Sequence, residues 1–214
     1  MRALFGALAL SFIAWPALAD PPEGEPQASA GALGLELIAD AGAEGVFETL
    51  PSPPRTIVVR HARSGLVCRM DVDHANRLLI FPRAARGEDV ACETSADGET
   101  VVLFATRFSF DTTLDEQIRG AEAAIMRHYP DAQPYAATIA LNSDTLPAHR
   151  SAAFVVTRDG ARTFTSASVA QVGEWVIKLR YTTRAPDDAA ARAAAGAASR
   201  TFGAALEEIV AQRE

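Results

Sequence analysis

Lysine, cysteine, long apolar runs and recognisable reaction motifs are all scarce in this sequence of 214 residues. Beyond residue 19 no uninterrupted apolar stretch approaches the roughly 20 residues that a membrane-crossing helix needs, which argues against an anchor there. The motifs of nucleotide binding (GxGxxG, Walker), of zinc and haem attachment (HExxH, CxxC, CxxCH) and of serine catalysis (GxSxG, SxxK) are missing. Heptads and RNA-binding aromatic signatures are missing too. No cofactor and no metal is therefore assigned. Lys178 is the only lysine among 20 basic residues. The arginine bias and the abundant alanine together fit a GC-rich genome. Positive charge is also short overall: the formal net charge is −7, which argues against nucleic acid or an anionic membrane surface as the main partner.

What is present begins with MRALFGALALSFIAWPALA, which reads as a secretory signal peptide over residues 1–19. Arg2 supplies the positive n-region, Ala3 to Ala14 the apolar h-region, and Ala17-Leu18-Ala19 the small-x-small pattern cut before Asp20. The expected location is the periplasm if the host is Gram-negative, and otherwise the exterior. Residues 20–32 are rich in Pro, Glu and Gly and read as a mobile tail, because they lack the apolar surface that offsets ordering entropy. Residues 33–214 read as a single globular domain. Cys68 and Cys92 are the only cysteines, and an even count in an exported chain predicts a disulfide. It would close a loop of about 25 residues, worth about 3 kcal/mol by chain entropy.

The chain then reads as α+β. Leu33, Leu35, Leu37 and Ile38 suggest a short strand or a turn of helix. Thr56–His61, Leu66–Asp71, Arg77–Phe81, Val90–Thr94 and Thr100–Phe110 form a meander of about five strands, with Ala96-Asp97-Gly98 as one turn. The two cysteines are expected on separate strands of one sheet or at its edge. Val102, Phe104, Phe108 and Phe110 share one parity and are expected to face the core.

Thr113 with Glu116 forms a capping box that opens a helix over about 113–128, with Leu114, Ile118, Ala121 and Ile125 on one face. A second strand block follows: Tyr135–Leu141, Ala152–Arg158, Ala161–Ala170 and Glu174–Thr183, with Asp159-Gly160 as a hairpin turn. In the last strand Trp175, Ile177, Leu179 and Tyr181 alternate with Val176, Lys178, Arg180 and Thr182, which predicts one core face and one wet face. Pro186 at a first helical position starts an alanine-rich helix over about 186–212. The expected architecture is an antiparallel sheet in two strand blocks, flanked by these two helices.

Candidate chemistry is sparse. Asp71, Asp73 and His74 in MDVDHAN have the makings of a cation loop but also the composition of a strand-to-strand turn, which is preferred. His61, His74, His128 and His149 lie far apart in the chain. Arg77, Arg83 and Arg86 form one candidate anion- or partner-binding group, and Lys178 with Arg180 another. Thr163 and Thr165 are their candidate hydroxyl neighbours. The competing reading is a solvated sheet face carrying isolated charges.

The order of elements resembles the Mog1/PsbP-like α+β family from about residue 56 to 212: a strand block, a capped helix, antiparallel strands ending in GEWVIKLRYTT, and a final helix carrying FGAALEEIV. That resemblance implies an antiparallel sheet flanked by helices and a binding or accessory role, since such proteins share no catalytic residues. No site residue is carried over. The expectation is an exported protein that binds another envelope component or a small ligand without chemistry of its own. The alternative is an envelope hydrolase with a dispersed active site.

Overall fold

In the computed structural model, residues 29–136 and 145–212 are described. The signal peptide read over residues 1–19 and most of the predicted tail lie outside them. Ser29 caps α1 (Ala30–Asp40), its hydroxyl accepting from the Ala32 amide at 3.2 Å, so Ala30 to Ala32 form a helical turn and not a tail. Gly34 is what lets α1 sit down on the strands that follow, since a Cβ there would lie 2.9 Å from Thr49 Cγ2.

The strands of the first block divide between two sheets. β1 (Phe47–Thr49), β2 (Thr56–His61) and β3 (Val67–Asp71) make an antiparallel three-stranded sheet. The chain then turns at Val72 to His74 and enters a second sheet through β4 (Ala75–Ile80), β5 (Asp89–Ala96) and β6 (Glu99–Arg107). Next come α2 (Leu114–His128), β7 (Gln133–Pro134), β8 (His149–Arg158), β9 (Ala161–Val172), β10 (Trp175–Arg184) and α3 (Asp188–Ala211). The large sheet is antiparallel and runs β4-β5-β6-β10-β9-β8-β7. The fold is therefore α+β with two strand blocks, α2 and α3 being the flanking helices expected and α1 a third. Of the strand expected over 135–141, only Tyr135 and Ala136 are described, and both follow β7.

Local chemistry explains several joints. Asp97-Gly98 and Asp159-Gly160 both take positive φ (49°, 82° and 51°, 73°), the conformation that two-residue hairpins demand. Thr113 and Glu116 exchange both bonds of the capping box. α3 starts two residues later than the proline suggests: Asp187 is the N-cap, its carboxylate accepting from the Ala190 amide at 2.8 Å, and Pro186 precedes it. A carboxylate satisfies an orphan amide that proline cannot, so it takes the cap.

The main core lies between the small sheet and α3 on one side and one face of the large sheet on the other. Met70, Leu103, Phe164, Ile177, Phe202 and Leu206 meet there, and the small Ala191, Ala194, Ala195 and Ala198 let α3 lie close. A second, smaller core sits on the opposite face, where Ile118 and Ile125 of α2 pack on Phe154, Val156, Ala167 and Val169. β9 is consequently buried without a break from Thr163 to Ala170.

Two expectations change here. On β6 the residues facing the main core are Leu103 and Ala105, not the Val102/Phe104 parity. Both parities of that strand are apolar because both faces of the sheet are partly covered, and Phe108 and Phe110 lie beyond the strand's end. Cys68 and Cys92 are disulfide-bonded with a Cα–Cα distance of 6.3 Å, but from different sheets: Cys68 on β3 and Cys92 on β5. The bond ties the small sheet across the core to the large one. Replacing both cysteines by alanine is expected to lower unfolding free energy by about 3 kcal/mol, measured by denaturant titration, because the freed loop spans 24 residue steps.

Candidate functional site

α2 rests on β8 and β9 and leaves part of the large sheet's outer face unroofed. A half-open groove with a cavity of about 370 Å³ results. Its floor is Phe104, Phe108, Ala167, Val169, Lys178 and Arg180. Its α2 wall is Gln117, Gly120, Ala121 and Ala124. The register builds the floor in rows: Leu79, Ala91, Phe104, Lys178 and Val169 stand side by side across five strands, and Arg77, Glu93, Val102, Arg180 and Ala167 form the next row. The Phe104 ring stacks on Phe81 at 6.2 Å, carrying the apolar floor out toward β4. Phe108 packs against Phe110 at 5.3 Å, and Phe110 is 65% exposed at the groove's end.

Lys178 and Arg180 are half-buried in this floor, so the outer face of β10 is not the wet face that alternation suggests. Burial pushes the lysine ammonium down from its ordinary pKa, opposed weakly by Asp89, and burial likewise lowers Arg180. Among the described residues neither cation forms an ion pair. Asp89 is itself held by the Thr106 hydroxyl at 2.8 Å. The Lys178 ammonium lies 5.6 Å from the centre of the Phe108 ring, a cation–π contact. Thr165 shares this sheet face but is fully buried and shares its hydroxyl with Thr182 at 2.9 Å, while Thr163 donates to its neighbour's carbonyl, Ala161 O.

The arginines of the other candidate group have separate surroundings. Arg77 is paired with Glu93 at 2.8 Å, and Arg86 donates to the Gly42 carbonyl at 2.5 Å, stitching the turn after α1. Arg83 is exposed in the β4–β5 connection. The fold thus sets Lys178 and Arg180 in the groove floor, while Arg77, further along the Arg180 row, pairs with Glu93 and Arg86 is bound near α1. Gly120 is a groove residue that sequence reasoning missed. A glycine inside a helix costs about 1 kcal/mol relative to alanine, which is the signal that could have marked it. A Cβ there would meet open space, so packing does not require the glycine.

The histidines do not converge. His61 is fully buried between Phe47 and Trp175, with ring centroids at 5.4 and 5.1 Å. Its Nδ1 lies 2.8 Å from the Ser64 hydroxyl and accepts from the Ser64 amide at 3.3 Å. This pair closes the β2–β3 turn, and both side chains are buried. Nε2 faces the main chain at Gly87 without a hydrogen bond of normal geometry. His74 is exposed in the β3–β4 turn, His128 packs on Tyr129 at the end of α2, and His149 opens β8. The Asp71 and Asp73 carboxylates are both bound by Arg55, and Asp71 also accepts the Asp73 amide at 2.9 Å, which is turn chemistry.

Compared with known proteins, the sequence matches no family model and no curated protein.

Two outcomes follow from these environments. Burial pushes the His61 pKa from 6.5 down to about 4, so the unfolded chain takes up the proton first as pH falls. The stability that neutral His61 contributes is complete above pH 6.5 and is lost progressively down to about pH 4. Denaturant titrations across that window should show a loss of roughly 3 kcal/mol that a His61→Phe variant lacks. Lys178→Met should in turn raise stability by about 1 kcal/mol, read the same way, because it removes a half-buried charge that has no ion pair among the described residues.

Proposed function

We propose that this chain is an exported, disulfide-bonded binding protein of the envelope or extracellular space, acting through the groove between α2 and the large sheet without chemistry of its own. The groove's two half-buried cations are the observation that carries this reading. An unpaired charge under partial cover costs stability, and sites of function are where proteins keep such costs. Its size falls in the range of small-ligand sites, and its lining has their character: mostly apolar, with a few convergent polar groups.

Export is supported by the leader-like residues 1–19 and by the Cys68–Cys92 bond, which persists in oxidising compartments. Among the described residues no helix is long and apolar enough to cross a membrane. A periplasmic location follows if the host is Gram-negative, and secretion otherwise. The partner is an envelope component or a small ligand, and the net charge of −7 disfavours nucleic acid.

A photoreactive benzoylphenylalanine in place of Gly120 tests the reading in intact cells, with the same residue in place of Ala193, exposed on α3, as the comparison. Position 120 should yield a discrete adduct and position 193 none, and by mass the adduct-bearing chain should begin at Asp20. Equal labelling at both positions, or none at 120, would remove the groove from the account. A chain beginning at Met1 in the cytosol would remove export.

A further inference from the structure

We infer that the groove takes a single small amphiphilic anion, its carboxylate-type headgroup held between Lys178 and Arg180 and its apolar body lying on Phe104 and Phe108. The inference rests on the groove being the binding site and adds the chemistry of what enters it. Lys178 and Arg180 are two residues apart on one strand face, so their Cα atoms are about 7 Å apart and one headgroup can contact both. Each arrives without an ion pair among the described residues, whereas Arg60, Arg69, Arg77, Arg107, Arg150 and Arg162 all have carboxylate partners. The neighbouring Glu93 is already engaged by Arg77, and Asp89 by Thr106. Asp89 attracts Lys178 only from beyond ion-pair distance, so among the described residues neither cation has a carboxylate in contact, and a ligand headgroup can supply one.

The apolar half of the ligand follows from the rest of the floor. Phe104 and Phe108 flank the cations, and the stacked Phe81 extends the surface toward β4. An inorganic anion would leave those rings wet. A flat anionic membrane is a poor fit, because the cations are recessed beneath α2 and the protein is net negative. The occupant that uses both halves of this groove is one free molecule with a charged head and a short hydrocarbon body.

Lys178 is the chain's only lysine, so labelling of its amine by an acylating reagent, read by peptide mass spectrometry, reports occupancy of the unmodified protein. Hexanoate, octanoate and decanoate should protect Lys178 and bind by calorimetry. Affinity should rise by up to about fourfold per methylene, the equivalent of about 0.8 kcal/mol for each buried CH₂. Arg180→Gln should weaken decanoate on the order of tenfold, as loss of a charge-assisted hydrogen bond does. Arg192→Gln, on the exposed side of α3, should leave it unchanged.

Equal binding of decyltrimethylammonium or decanol would overturn the anion. Equal protection by acetate would overturn the apolar body. Protection by anionic lipid vesicles but not by monomeric decanoate would overturn the free-molecule reading in favour of a membrane surface. Absence of any decanoate effect on Lys178 would overturn the inference outright, even if Arg180→Gln fails to fold. A Gly120 adduct in cells without decanoate binding would leave the binding role standing and only this ligand chemistry refuted.

Discussion

A seven-stranded sheet that is apolar on both faces must find cover on both, and the way this chain supplies it governs the rest of the molecule. On one face α3 and the three-stranded sheet close a continuous core, which the Cys68–Cys92 bond pins from one sheet to the other. On the opposite face α2 is only 15 residues long and packs on β8 and β9, where Phe154, Val156, Ala167 and Val169 meet it. The outer face of β6 and β10 is left half-roofed. The groove is therefore a consequence of coverage: a helix too short and too far to one side to seal an apolar sheet.

Desolvation acts on three groups in this fold and is resolved differently for each. His61, fully enclosed beside Trp175, avoids the cost by staying neutral, and its Nδ1 serves the turn at Ser64. Surface arginines such as Arg69 and Arg77 avoid it by staying more than half exposed, and Glu208 and Glu93 meet them at 2.6 and 2.8 Å. Lys178 and Arg180 have neither remedy within the described residues. Arginine does not give up its proton in proteins, so Arg180 remains a cation in a half-buried place. That unresolved tension separates the groove from other hollows among the described residues. Beside α3, for example, Arg60 and Arg63 line a hollow but are already paired with Glu48 and Glu88.

Elements whose cause is local could be read from the chain. The Asp-Gly pairs set φ at their own residues, the Thr113/Glu116 box acts across three positions, and the alternation of Trp175, Ile177, Leu179 and Tyr181 names the core face of β10. Elements whose cause is distant could not. Nothing in the residues around Cys68 and Cys92 tells which sheet each strand joins, because β3 and β4 are consecutive in the chain yet unpaired in space. The parity of β6 failed for the same reason: Leu103 and Phe104 are both apolar, and only the packing of α2 and α3 decides which of them faces the larger core.

The sequence by itself determined the α+β class, the approximate span of α2 and α3 and of most strands, the two hairpin turns and the presence of a disulfide, since caps, turn dihedrals, alternation and cysteine count act over a few residues. Tertiary structure alone decided that the disulfide joins two sheets, that His61 is enclosed, and that Lys178 and Arg180 share a groove with Phe104 and Phe108. Those outcomes depend on strand order and on where a helix comes to rest. Solvent exclusion is a property of the assembled layers, and no residue carries it in its own neighbourhood of the chain.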